Sequence, residues 1–298
     1  MLTSPDPESH VYSSPPAHAN ADWTIDQDWA AYSDSEHDVW DTLFARQSEM
    51  LPGRASSAFL NGLDILQLSK PGIPDFAELN QILMDATGWE VVAVPGLVPD
   101  DIFFEHLANR RFVSGNFIRK PDQLDYLQEP DIFHDVFGHV PMLADQRFAD
   151  YMAAYGRGGL RALKFGTLEQ LARLYWYTVE FGLIQESEGL RIYGAGIVSS
   201  YGESVFALDD DSPNRIMFDL ERVLRTQYRI DDYQQNYFVI PSLDELLRVT
   251  VETDFKPVYD HISDMPEISI AEIVKGDVVL NMGTQEYANS KTGQATII

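Results

Sequence analysis

The chain has 298 residues, 47 acidic side chains against 21 basic ones, a formal charge of −26, a pI near 4.4 and no cysteine. That charge argues against nucleic acid and against an anionic membrane surface as partners, because either would require an excess of lysine and arginine. The missing cysteine excludes disulfides, thiolate zinc sites, iron–sulfur clusters and a cysteine nucleophile.

The acidic N-terminus lacks the apolar core of a secretory signal. Residues 1–20 are rich in Ser, Pro, Ala and His and read as disordered. The whole of 1–34 is set apart from one folded domain over 35–298, whose tail, 281–298, is expected to be loosely ordered. Hydrophobic spacing predicts helices over 35–50, closed by Pro52 and Gly53, then over 59–66 and 75–87. A short apolar stretch follows at 91–94. The longest apolar run, 91–98, falls well short of the roughly 18 residues needed to span a bilayer, so a soluble, cytoplasmic protein is expected. Residues 100–109 read as a helix and 112–118 as a short strand. Helices are predicted over 131–139, 146–155 and 167–185. The last opens with Thr167-Leu-Glu-Gln170, a capping-box pattern. Beyond about residue 230 come strand-like runs at 237–240, 268–270 and 278–280, and a helix at 243–251. The fold class expected is mainly α with small β elements, in a single domain.

His134 and His139 stand close together in the segment 129–141, flanked by Ile132, Phe133, Val136, Phe137 and Val140. On a regular helix, at about 100° per residue, they point about 140° apart. They converge only if the helix loosens near Gly138, which has no side chain to obstruct a close approach. Two core histidines satisfied by backbone carbonyls are as good a reading as a metal pair. Glu180 tips the balance. It lies in a run, 171–184, that is apolar nearly all round and therefore buried. A buried carboxylate must meet a cation, a donor or a metal. Arg173 is two helical turns away, which favours the metal.

Two imidazoles and one carboxylate leave two chemistries: the facial triad of non-haem Fe(II) oxygenases, or a His2Glu zinc hydrolase. The His-Glu-x-x-His pattern of many zinc hydrolases is absent. Tyr175, Trp176, Tyr177 and Phe181 suit an aromatic substrate or a planar cofactor, so iron is preferred. The segment 193–203 superficially matches a dinucleotide fingerprint but lacks its third glycine, and reads as a tight loop that lets backbone approach a ligand.

Together the segments 129–141, 175–182 and 193–203 resemble the pterin-dependent aromatic amino acid hydroxylases, and most nearly their bacterial single-domain members that act on phenylalanine. The resemblance covers roughly residues 38–265. It implies Fe(II) held by His134, His139 and Glu180, with Asp131 and Glu203 supporting the ligands from behind. It implies that Arg119, in Asn116-Phe-Ile-Arg119, pairs with the carboxylate of the amino acid. Trp176, Phe181 and Ser199 would surround that substrate. Tetrahydrobiopterin or a related tetrahydropterin would lie on Gly96, Leu97 and Val98, stacked on Phe103, with Asp135 and Tyr175 beside it. Asp135 stands where animal relatives carry Glu. The implied reaction is conversion of phenylalanine to tyrosine with O2 as co-substrate. Trp176 and Ile230 favour phenylalanine over tryptophan or tyrosine, the alternatives within the family. The tail shows no heptads for a tetramerising coiled coil, so a monomer is expected.

Overall fold

A computed structural model describes residues 14–125 and 130–291. Helices come first in the chain and strands are short, as the hydrophobic spacing predicts. Helix α1 (Asp34–Met50) starts at a capping box in which Ser33 accepts from the Glu36 N–H and the Glu36 carboxylate accepts from the Ser33 N–H. It buries the stripe Val39, Trp40, Leu43, Gln47 and Met50. Helices α2 (Ser57–Ile65) and α3 (Phe76–Thr87) follow. Asp75 caps the start of α3, and Gly88, at φ 74°, ends it in the left-handed region. Strand β1 (Glu90–Val94), helix α4 (Asp100–Ala108) and strand β2 (Arg111–Gly115) form one β–α–β unit. Its strands pair in parallel with Glu90 opposite Arg111 and Val94 opposite Gly115.

A π-helical turn, Phe133–His139, leads into the short α5 (Val140–Leu143) and the long α6 (Gln146–Phe165). Helix α6 runs ten residues past the predicted end at 155. Two glycines beyond that point are places of close helix packing. A Cβ at Gly156 would lie 2.4 Å from the Ala108 nitrogen, and one at Gly159 would lie 2.0 Å from the Phe104 ring. Helix α7 (Leu168–Tyr175) passes into a second π-helical turn, Trp176–Glu180. The predicted helix over 167–185 therefore ends five residues early, and Thr167 makes no side-chain cap. Residues 183–186 are strand β3 (Leu183–Glu186), because an apolar run suits a buried strand as well as a buried helix.

Strands β3, β4 (Gly189–Ile192), β5 (Asn214–Met217), β6 (Asn236–Ile240) and β7 (Val279–Asn281) build one sheet in the order β4-β3-β6-β5-β7. The stretch expected to be a tight loop holds two helices, α8 (Ala195–Val198) and α9 (Tyr201–Asp209). Helices α10 (Leu220–Leu224), α11 (Leu243–Glu252) and α12 (Phe255–Ile262) complete the main body, and α13 (Glu286–Ser290) closes the described chain. The predicted strand at 268–270 is reduced to a single bridge, Ile268 to Thr226.

Both ends differ from expectation. Within 14–34, Trp23 is buried, the Ile25 N–H donates to the Ala93 carbonyl on β1, Asp22 pairs with Arg111, and Trp29 donates to the Ile73 carbonyl. The boundary drawn at 35 cuts through packed structure, because isolated aromatics in a polar stretch carry no periodicity. Residues 1–13 lie outside the described residues. In the tail, β7 pairs with β5, the Gly283 N–H donates to Asn214, and Tyr287 packs on Phe206 and Tyr233. Residues 281–291 are thus docked, and 292–298 lie outside the described residues. No described helix is long and apolar enough to cross a membrane.

Candidate metal centre

The π-helical turns decide the geometry of the site. A backbone bonded i to i+5, as Phe181 N–H to the Trp176 carbonyl at 2.8 Å, brings residues five apart back over one another. Across Phe133–His139 this turns His134 and His139 toward one point instead of about 140° apart. Their Nε2 atoms are 3.3 Å apart. Glu180, the last residue of the other π-helical turn, places its carboxylate oxygens 3.3 Å from His139 Nε2 and 3.6 Å from His134 Nε2. Gly138 serves a second purpose here. A Cβ at that position would sit 3.0 Å from the Ala195 carbonyl oxygen, so it admits α8 against the ligand turn.

This triangle fits a metal ion. One donor atom from each residue lies within 4.8 Å of the others, close enough to share one ion, and two imidazoles with a carboxylate suit a divalent transition metal. Burial pulls the His134 imidazole down to about 4, so it is neutral near pH 7 and offers a lone pair. Burial alone would raise the Glu180 carboxyl, but the His139 imidazole, through its field and a hydrogen bond, and the neighbouring His134 ring outweigh it and hold the carboxyl below its ordinary value. Arg173 is taken by Glu169 and Glu267 and does not neutralise Glu180. His134, His139 and Glu180 are the one such cluster of potential ligands among the described residues.

The surrounding residues hold this arrangement. The Ser199 hydroxyl donates to the Ala195 carbonyl at 2.7 Å and lies 3.0 Å from His134 Nδ1. With its own hydrogen committed, Ser199 accepts the Nδ1–H, which leaves Nε2 free for a metal. Expected around the amino acid, Ser199 is therefore tied to a metal ligand. Asp131 does not touch either imidazole. It accepts the His134 backbone N–H and binds Arg119 through two side-chain bonds of 2.8 and 2.9 Å and through the Arg119 backbone N–H. Burial works to raise the Asp131 carboxyl, and Arg119 overrides it, so the pair stays charged. Glu203, expected behind the ligands, contacts none of them. It accepts from the Tyr237 hydroxyl at 2.7 Å and the Gln234 backbone N–H at 3.3 Å.

Trp176 and Phe181 stand side by side with ring centroids 4.8 Å apart. Gly96, Leu97, Val98, Phe103 and Asp135 line one cleft. Asp135 Oδ2 accepts the Gly115 N–H at 2.8 Å, while Oδ1 is buried without a partner among the described residues. Burial lifts this carboxyl to about 7. Tyr175 lies behind the cleft, packed edge-on against Phe103 and near His139, and does not line it. Sequence reading missed Val113, Gly115, Phe117 and Pro130 as further walls of the cleft. It also missed Phe112, whose ring covers His139, and Gln234, whose side chain bonds Trp176. No local pattern marks these residues, since their partners are distant in sequence.

Comparison with known proteins agrees with this geometry. A model of the biopterin-dependent aromatic amino acid hydroxylase family matches residues 25–267. The phenylalanine-4-hydroxylase of Caulobacter vibrioides is 65% identical over 278 residues, covering 93% of this chain and 94% of that protein. The iron- and phenylalanine-bound crystal structure of phenylalanine hydroxylase from Chromobacterium violaceum matches with a TM-score of 0.84 at 51% identity, over 90% of this chain and 96% of that one. The structure of the same enzyme with iron(III) and 7,8-dihydrobiopterin matches with a TM-score of 0.84 at 53% identity, over 90% and 95% of the two chains.

Proposed function

The chain belongs to the biopterin-dependent aromatic amino acid hydroxylase family, and from that premise we propose that it converts L-phenylalanine to L-tyrosine with O2 and a tetrahydropterin at Fe(II) held by His134, His139 and Glu180. The observation that carries the proposal is the convergence of two imidazoles and one carboxylate. Iron and the reduced pterin, when bound, supply the activation of O2.

The protein's own residues hold and orient the reactants. Asp131 occupies Nε and Nη2 of Arg119 and fixes the plane of the guanidinium, while Nη1 donates to the Leu124 carbonyl at 3.5 Å and keeps a second N–H to meet the carboxylate of the amino acid. Trp176 and Phe181 then receive its ring. In the cleft, the backbone of Gly96, Leu97 and Val98 presents polar groups to the edge of a flat bicyclic ring, and Phe103 offers a face for stacking. The unpartnered Oδ1 of Asp135 is an acceptor for a ring N–H, which would satisfy a buried atom that otherwise goes without a bond. Near pH 7 this carboxyl can also hold a proton. Burial of the whole assembly keeps bulk water from the reacting centre. A cysteine-free chain suits the cytoplasm.

The test is direct. Purified protein is supplied with Fe(II), 6-methyltetrahydropterin and, in turn, phenylalanine, tyrosine and tryptophan in air. The expected result is tyrosine from phenylalanine, dependent on both metal and pterin, with lower turnover of the other two. Absence of any pterin-dependent product would overturn the proposal. Separately, His134→Ala and Glu180→Ala are expected to bind Fe(II) far more weakly in a metal titration, and unchanged binding would overturn the ligand assignment.

A further inference from the structure

Trp176 is placed by three contacts, and two come from a loop that no motif marks. Its indole N–H donates to Gln234 Oε1 at 3.0 Å. One face stacks on Tyr228, with centroids 4.4 Å apart and the rings 21° from parallel. Phe181 packs against another side. Trp176 itself is only partly buried, so part of the ring is left to meet a ligand.

Gln234 has no freedom to turn. Its amide Nε2 donates to the Arg229 carbonyl at 2.9 Å and approaches the Asp232 carbonyl at 3.4 Å, which forces Oε1 toward the indole. Its backbone N–H donates to Glu203, whose carboxyl is held in turn by the Tyr237 hydroxyl. Asp232, two residues before Gln234, is tied to the end of the chain by the Tyr287 hydroxyl at 2.7 Å and by Lys291 at 3.0 Å. Tyr233 stacks on Tyr287. The loop 228–234 is thus clamped between α9 and α13, and its one polar contact with the aromatic wall is the Gln234 amide.

We propose that Gln234 is a positioning residue for substrate choice: it fixes the indole plane of Trp176, and with it the shape of the pocket that selects the aromatic ring of the amino acid. This inference rests on the placing of Trp176 in the substrate pocket. An indole N–H deprived of its acceptor in a half-buried site is left unsatisfied, which drives the ring toward another orientation. Gln234 touches no reactant and acts only through the indole.

A double-mutant cycle tests this on the iron- and pterin-loaded enzyme. Gln234→Leu is expected to lower kcat/KM for phenylalanine about tenfold, chiefly through KM, which is about 1.4 kcal/mol. It should narrow the preference for phenylalanine over tryptophan and leave the KM for 6-methyltetrahydropterin unchanged. In a Trp176→Phe background, which has no indole N–H, the same substitution should add little. Equal costs in both backgrounds, or a matching loss in the pterin KM, would overturn the inference. If Trp176→Phe alone leaves amino acid kinetics untouched, the pocket assignment itself fails, a result distinct from failure of the Gln234 step. Should Gln234→Leu not fold, Gln234→Met keeps the length of the side chain while removing the amide, and is read by the same criteria.

Discussion

Ser199 fixes the His134 imidazole with a single hydroxyl that donates to Ala195 and accepts from His134 Nδ1. Removing it frees the ring to change tautomer and to rotate. Ser199→Ala is therefore expected to weaken Fe(II) binding about 10- to 100-fold while leaving the fold intact, as read by metal titration and circular dichroism. Glu203 offers a different test. Burial raises its carboxyl from an ordinary 4.5 to about 8, against the hydrogen bonds from Tyr237 and Gln234. The folded chain then holds a proton that the unfolded chain releases between those two values. The stabilising contribution is complete below about pH 4.5 and is lost as pH rises to about 8. Glu203→Gln keeps an oxygen acceptor and cannot ionise. Its stability is expected to gain on the parent between pH 5.5 and 8, by up to about 1.4 kcal/mol per pH unit, in chemical denaturation at several pH values. A difference that does not change with pH would show Glu203 to be charged in the native state. Of these residues, the three metal ligands and Arg119 stood out in the sequence because charged or ligating groups amid apolar neighbours are conspicuous. Ser199's bond to His134 did not, since it joins residues 65 apart.

At the level of elements, two π-helical turns separate this site from an ordinary buried helix pair. Regular α-geometry would splay His134 and His139, and the extra residue in each turn undoes the splay. Each turn packs closely through a glycine, Gly138 within the first turn and Gly194 beside the second. A Cβ at Gly138 would meet Ala195 at 3.0–3.2 Å, a contact that a small shift of α8 relieves. A Cβ at Gly194 would meet the Glu180 carbonyl oxygen at 2.4 Å and the Gly182 nitrogen at 2.5 Å, all backbone atoms. Gly138→Ala is expected to cost about 1–3 kcal/mol of stability in urea unfolding. Gly194→Ala should be markedly worse and should displace Glu180, seen as lost Fe(II) binding in whatever protein folds. Helix starts were legible at Ser33, Asp75 and Asp145, where a cap precedes an amphipathic run, but not at Ser200, Asp219 or Asp254, whose capped helices are short. Helix ends were less so: the glycines of α6 serve packing, and the apolar run after Glu180 belongs to a strand.

Across the whole molecule, charge and architecture are separable. Residues 1–50 carry ten acids against Arg46 alone, and residues 201–298 carry eighteen acids against eight bases. The metal ligands lie in the less acidic middle and are largely buried. Net self-repulsion of such a surface destabilises the compact state, and salt screens it. Raising NaCl from about 20 mM to about 0.5 M is expected to raise Tm by roughly 2–4 °C, about 1 kcal/mol for a chain of this size, in a thermal melt. The affinity for Fe(II) should change little over the same range, because the site is shielded from solvent. The ends of the chain also have structural work to do: residues 22–32 close over β1 and α3, and α13 braces the loop that meets Trp176.

The sequence by itself determined the donor set. With no cysteine, only histidine and carboxylate could bind a metal strongly, and two histidines and a glutamate stood in apolar surroundings where such groups need a partner. It also determined the mainly helical class, because amphipathic spacing and caps act within a few residues. Tertiary structure alone decided that the two histidines face one point, that Ser199 and not Asp131 meets the His134 ring, that Trp23 belongs to the core, and that Gln234 bonds the indole of Trp176. Each of these depends on backbone geometry or on atoms brought together from distant parts of the chain, and neither leaves a periodic trace in the sequence.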